Sequence, residues 1–315
     1  MTVHVAGEAS AVPQDSAVQD GAGRLANGLF ITTQCTDRIR AHFERVRRQT
    51  EGLVEWRLVH NPGNHVIPVE PRLDPPPDQV LPERLRQLER NGGLVPGHVD
   101  VLVMAAAWPL PHDHTWIMEF DVDYTGDWRT LFARFAANDA DLLTTTLLPL
   151  ADDPDWYFMD TALAPAHVDP ACRMRSFNPL MRMSRRLMEA YADEVRDPGW
   201  QGHFEYVLPT VARHLGLKIE DMGGEGPFCP PERRGTLYSN TPLDPGLRPG
   251  SFVCRPWRSE YFAERPEDFP QGDWLFHPVK PDMPLLPPPP PPPPLPRRSL
   301  PRRLWRFVRG KGMGS

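Results

Sequence analysis

From residue 115 to residue 128 the chain reads Thr-Trp-Ile-Met-Glu-Phe-Asp-Val-Asp-Tyr-Thr-Gly-Asp-Trp, an apolar run that stops abruptly at two carboxylates, Asp121 and Asp123, one residue apart. Residues 116–120 are expected to form a buried strand. Asp121 and Asp123 then fall at its carboxyl mouth, where open α/β sheets bind their ligands. Hard carboxylate oxygens there suit Mg²⁺ or Mn²⁺, ions that keep positions open for substrate phosphates. An Asp-rich turn that merely closes the strand, with Gly126 as its turn residue, is the plainer alternative.

The flanking sequence reads as alternating strands and helices. Residues 28–33 form a short apolar, partly β-branched run, and Ile39, Phe43 and Val46 then recur at helical spacing, with Asp37 as the expected N-cap. Residues 53–59 alternate as a second strand, which makes the opening a βαβ unit of a doubly wound sheet. A proline-rich loop covers 61–79, and a short helix over 82–90 stops at Asn91-Gly92. Residues 99–107 are apolar throughout, so periodicity leaves strand and helix equally open.

Asp127 is placed to cap a helix carrying Trp128, Leu131, Phe132 and Phe135 on one face. A strand is expected over 141–148, a helix capped by Ser184 over 185–195, a helix with Pro209 over 204–215, a short strand over 218–222 and mostly loops over 223–258.

The two ends differ from this body. Residues 1–27 lack sustained periodicity and the layout of a signal peptide, and read as a disordered leader. Residues 287–294 are all proline, so 281–315 begins as polyproline II. The same segment carries seven basic residues against Asp282, a net +6. The rest of a chain whose total is −6 is therefore at −12. An acidic body of this kind argues against nucleic acid as the ligand. The longest apolar run, 101–108, is far too short to cross a bilayer. Cys35, Cys172, Cys229 and Cys254 show no Cys-x-x-Cys spacing, so a reducing cytoplasm is the expected compartment.

Three blocks in order carry a family resemblance: Glu119-Phe-Asp-Val-Asp-Tyr-Thr-Gly-Asp-Trp128, Gly202-His-Phe-Glu-Tyr-Val-Leu-Pro-Thr210 and Asp273-Trp-Leu-Phe-His-Pro-Val-Lys280. Together they resemble the nucleotide-diphospho-sugar glycosyltransferases of the GT-A type, in particular a little-characterised bacterial and fungal set with an Asp-Val-x-Tyr-Thr-Gly-x-Trp signature. The resemblance spans 28–280 and implies an α/β, GT-A-like single domain: a mostly parallel central sheet flanked by helices, with disordered tails on either side.

It further implies that Asp121 and Asp123 hold the metal, Mn²⁺ or Mg²⁺, with His277 completing its shell. Glu205 would act as the base that deprotonates a hydroxyl acceptor with inversion at the sugar, and His203 is its nearest substitute. Thr32 and Thr33 would contact the nucleotide-sugar donor. Lys280 adds a point charge suited to its diphosphate.

Two other readings stay open. His112-Asp-His114 offers imidazoles that, with Asp121, Asp123 and Glu205, would suit a metal-dependent phosphoesterase. The proline run would instead suit a non-catalytic scaffold that recruits partners through PxxP-type sites. Residues 297–311 interleave basic side chains with Leu300, Leu304, Trp305, Phe307 and Val308, a composition that anionic lipid attracts by about 1 kcal/mol per basic residue. That fits peripheral attachment at the inner face of a membrane and a glycan or lipid-linked acceptor.

Overall fold

The computed structural model of the protein describes residues 25–61, 75–94, 97–240, 250–252 and 272–280. The leader up to residue 24, most of the proline-rich loop, Cys254 and all of the 281–315 tail lie outside the described residues, as do the scaffold and membrane expectations that rest on that tail.

The chain opens as β1 (Ala26–Thr32), α1 (Asp37–Gln49) and β2 (Val54–His60). The first strand therefore starts inside the stretch assigned to the leader. Thr36, not Asp37, caps α1, its hydroxyl accepting from the Ile39 N–H, while Asp37 in the first turn pairs with Arg40. Two helices follow, α2 (Pro77–Val80), within what reads as loop, and α3 (Pro82–Asn91), which ends on left-handed Gly92.

The ambiguous apolar run is a helix, α4 (Val99–Ala107), buried on nearly every side, which is why its sequence shows no polar face. Then come β3 (His114–Glu119), the short β4 (Asp123–Tyr124), α5 (Trp128–Arg134) capped by Asp127, and β5 (Leu142–Pro149). The remaining elements are β6 (Met174–Ser184), α6 (Arg185–Glu194) capped by Ser184, α7 (Phe204–His214), β7 (Ile219–Asp221) and β8 (Leu275–Phe276).

Six strands form one sheet in the order β2-β1-β3-β6-β5-β7. Five run in the same direction, and β6 is antiparallel to both of its neighbours. Strand alternation sorts the core into two layers. Leu29, Ile31, Ile117, Met181 and Met183 face α4, α6 and α7, whereas Phe30, Trp116, Met118 and Leu180 face α1 and α5. The sheet is thus covered on both faces by helices, and no helix among the described residues is long and apolar enough to cross a membrane.

Chain order reverses at β1, which has β2 on one side and β3 on the other, and the crevice outside the carboxyl ends of β1 and β3 is the switch point where such sheets hold ligands. The register pairs Ile31 with Glu119, and the Phe120 N–H donates to the Ile31 carbonyl at 3.0 Å. The acidic block therefore leaves the sheet beside Thr32.

Candidate metal centre and its buried base

The carboxyl end of β3 gathers Glu119, Asp121 and His277, each offering a ligand atom within 4.8 Å of the others. The two distant sequence blocks that supply them are hydrogen-bonded neighbours. Asp123 pairs with Phe276 and Tyr124 with Leu275 across β4 and β8, and the Thr125 N–H donates to the Trp274 carbonyl at 3.0 Å. Past the cis His277–Pro278 bond, the Val279 N–H donates to the Asp121 carbonyl at 2.8 Å, which carries Lys280 back over the site.

Asp121 is the centre of the cluster. Its Oδ2 accepts from Lys280 Nζ at 2.9 Å, His277 Nε2 lies 3.6 Å from its Oδ1, and the same nitrogen is 3.9 Å from Glu119 Oε2. Oδ1 is buried with no hydrogen-bond partner, an orphan acceptor that a cation would satisfy. Burial opposes ionisation of Asp121, but the charges of His277 and Lys280 prevail and hold its carboxyl below the usual range. Glu119 is pushed the other way, up from its ordinary value, by burial first and then by the like charges of Asp121 and Glu205. Two carboxylates and an imidazole around one orphan oxygen form a donor set that fits Mn²⁺ or Mg²⁺.

The structure sets Asp123 apart from Asp121. The Asp123 carboxylate is ion-paired with Arg45 of α1 and accepts from the Tyr124 N–H at 2.7 Å, and it is not part of the cluster. The acidic pair at the site is Glu119-x-Asp121, two residues earlier than Asp121-x-Asp123. The physical reason is a turn: the Val122 N–H donates to the Glu119 carbonyl at 3.1 Å, which breaks the strand alternation before Asp123 is reached.

His42 locks that turn from α1. Burial lowers its pKa, so it is neutral, its Nε2–H donates to the Val122 carbonyl at 2.8 Å, and its Nδ1 accepts from Arg45 at 3.0 Å. Glu119 as a ligand was available in the sequence from the overlapping Glu-x-Asp spacing alone.

Glu205 sits in the first turn of α7, which packs on β6. Its Oε1 accepts from the Asn178 N–H at 3.2 Å and its Oε2 lies 3.5 Å from His203 Nδ1. Burial raises its pKa to about 7, against smaller opposing effects from the Asn178 N–H and Arg175, which places a carboxylate near the value a general base needs. The charge of Glu205 is felt at Glu119, so the base candidate lies within electrostatic reach of the metal cluster.

His203 is the N-cap of α7, accepting from the Glu205 N–H at 3.2 Å, and it stacks on Phe158 with ring centroids 4.1 Å apart. Burial lowers its pKa to about 3, so it is a neutral positioning group whose Nδ1 is already engaged.

The donor-binding candidates divide. Lys280 is on Asp121. The buried Thr32 hydroxyl accepts from the Gln34 N–H at 3.0 Å, closing the turn after β1, and Thr33 is exposed at the same edge. His112 and His114 lie at the opposite end of β3, with His112 Nε2 3.3 Å from Glu55. A strand of that length, rising about 3.3 Å per residue, separates them from Asp121 by far more than a metal bond. The phosphoesterase constellation built on them is therefore not formed.

The raised Glu205 pKa has a consequence for stability. A carboxyl whose pKa is higher folded than unfolded binds more protons in the native state, so stability falls as pH rises from its unfolded value, near 4.5, to about 7. Metal-free protein should melt at lower temperature at pH 8 than at pH 5, and Glu205→Gln should shrink that difference. An unchanged pH dependence in the variant would show that Glu205 is not the strained group.

No protein-family model matches this sequence, and no curated protein matches it significantly.

Proposed function

We propose that the protein is a metal-dependent glycosyltransferase that moves a sugar from a nucleoside-diphosphate donor to a hydroxyl acceptor, glycan or lipid-linked, with inversion. The observation that carries the reading is the Glu119, Asp121 and His277 cluster at the switch point of a mixed α/β sheet, with a buried carboxylate of near-neutral pKa, Glu205, close enough for its charge to act on Glu119. The GT-A resemblance of the three blocks supports it: the first and third pair across β4 and β8, and the charge of Glu205 in the second reaches Glu119.

Glu119, Asp121 and His277 would hold the cation, which when bound supplies positive charge for the departing diphosphate. Lys280 adds a second cation on the same side. Glu205 takes the proton of the acceptor hydroxyl as its oxygen attacks the anomeric carbon, and the sugar–phosphate bond breaks on the opposite face. The Asn178 N–H orients the Glu205 carboxyl for that transfer, and His203, capping the Glu205 N–H, fixes the helix turn that carries it.

A panel of nucleoside-diphosphate sugars, followed by release of the nucleoside diphosphate with and without Mn²⁺, tests the reading. Release should require the metal, and Glu205→Gln should lower kcat by about 10²- to 10⁴-fold, the contribution of a positioned base. A panel with no metal-dependent release, or a fully active Glu205→Gln, would overturn it.

A further inference from the structure

A second group of metal-ligating side chains lies away from the carboxyl edge of β3. His167, in the segment between β5 and β6, Glu194, the last residue of α6, and His214, the last residue of α7, each place a ligand atom within 4.8 Å of the other two. We propose that these three residues form a zinc site that staples the ends of α6 and α7 to the 162–169 segment, independently of the site already described.

The spacing fits. Tetrahedral zinc with bonds of about 2.0–2.1 Å sets neighbouring donor atoms about 3.3–3.4 Å apart. His167 Nε2 is already 3.5 Å from Glu194 Oε1, and the His167 and His214 rings face each other with centroids 5.5 Å apart. The His214 ligand atom lies within 4.8 Å of both. Two imidazoles and one carboxylate form a donor set zinc takes with its fourth position left to water, and imidazole favours zinc over magnesium. The orientation of the carboxylate is supported from behind: Trp200 Nε1–H donates to the same Glu194 Oε1 at 3.3 Å, the kind of outer partner that fixes a metal-binding carboxylate.

Charge at the helix ends is the second, separate argument. A helix C-terminus carries partial negative charge and favours cations, yet α6 ends in Asp193-Glu194 and has no basic residue in its last turn. Arg196 is directed at Asp193, 3.7 Å away, and among the described residues the ion-pair partner of Glu194 is His167, beside the neutral donor Trp200. A carboxylate set against the helix field, beside two imidazoles, is relieved by a divalent cation. His167 keeps 55% of its side-chain surface, so the ion has a route in from solvent.

The position gives the site a structural consequence. α7 begins at the N-cap His203 that orients Glu205 and ends at His214, and nine residues of helix rising 1.5 Å each place Glu205 about 14 Å from the zinc. The 162–169 segment continues the 156–161 stretch whose Phe158 stacks on His203. Zinc would therefore fix both ends of the frame around the base without entering the cleft.

The test uses the full chain after chelation, titrated with Zn²⁺ by calorimetry and with Co²⁺ by optical absorption. The Asp121→Asn, His277→Ala chain, which lacks the other metal-ligating cluster, should bind one zinc through nitrogen and oxygen ligands, with visible bands of low-coordinate cobalt and no thiolate charge transfer, and should melt at higher temperature with zinc than with chelator. With Asp121→Asn and His277→Ala present in every sample to remove the other metal-ligating cluster, adding His167→Gln and His214→Gln should weaken zinc at least about 100-fold and abolish the thermal shift. The exposed single variant His167→Gln provides the same comparison with the least disturbance to folding, and melting in chelator verifies that each variant is folded. Undiminished zinc affinity when His167→Gln and His214→Gln are added to the folded Asp121→Asn, His277→Ala chain, or no zinc binding by that chain before they are added, would overturn the proposal.

Discussion

Glu119→Gln and Asp121→Asn are each expected to lower metal-dependent sugar transfer by about 10³-fold or more, whereas Asp123→Asn should keep turnover within about tenfold of wild type. Stabilisation of a departing diphosphate by a bound cation amounts to several kcal/mol, and each 1.36 kcal/mol is a factor of ten in rate. Glu119 and Asp121 are in the cluster, while Asp123 is held by Arg45 and the Tyr124 N–H. Neutralising Asp123 weakens the hold of α1 on the turn after β3, a change of about 1 kcal/mol for a partly exposed pair. The check is kcat/KM at saturating Mn²⁺ for the three variants side by side. An inactive Asp123→Asn beside an active Glu119→Gln would return the metal to the Asp121-x-Asp123 pair.

The largest stability effect is expected far from that cluster, at Asp100. Arg84 of α3 is fully buried and its Nε donates to Asp100 Oδ2 at 2.7 Å, while its Nη1 donates to Gln87 Oε1 at 2.8 Å and to the Gly202 carbonyl at 2.9 Å. Tyr191 of α6 donates to the same Asp100 oxygen at 2.6 Å. One guanidinium thus joins α3, α4, α6 and the loop that starts α7. Asp100→Ala strands the Arg84 charge in the core and should cost about 3–5 kcal/mol in urea unfolding. Arg84→Met combined with Asp100→Leu should recover most of that loss, because the penalty comes from the unpaired charge and not from a missing attraction. A single variant that loses less than 1 kcal/mol would mean that water reaches Arg84.

The same network positions the base. The Phe204 N–H donates to the Gly97 carbonyl at 2.8 Å, and a Cβ on Gly97 would come within 2.2 Å of the His203 ring. Gly97 has a φ of +90°, a conformation that side chains rarely adopt. The first turn of α7 therefore rests on backbone that only glycine fits closely.

Elements with one clean period were legible in the sequence. The caps at Asp127 and Ser184, the stop at Gly92 and the Trp128-Leu131-Phe132 stripe all fall where residue chemistry puts them. The longest strand, β6, was not. Its centre is interrupted by Asn178, Pro179 and Arg182, polar or strand-breaking types that tertiary partners satisfy: Arg182 donates to the Phe135 and Asn138 carbonyls at 2.8 and 2.7 Å, groups distant in sequence.

The site divided in the same way. Asp121, His277 and Lys280, singled out by type and spacing, lie against one another, and Glu205 acts on the group through its charge. The choice between Glu119 and Asp123 depended on where the strand alternation breaks, and a backbone turn held by His42, some 80 residues away, decides it. Separations of that length leave no local pattern to read.

The central claim, that Glu119, Asp121 and His277 hold the cation that meets the diphosphate, is tested most directly by pulsed paramagnetic resonance of Mn²⁺ bound to the full chain with a nucleoside diphosphate. The account predicts nitrogen modulation from one imidazole together with phosphorus coupling, and loss of the nitrogen signal in His277→Ala. Manganese that shows no nitrogen signal, or keeps it in His277→Ala, would contradict the account.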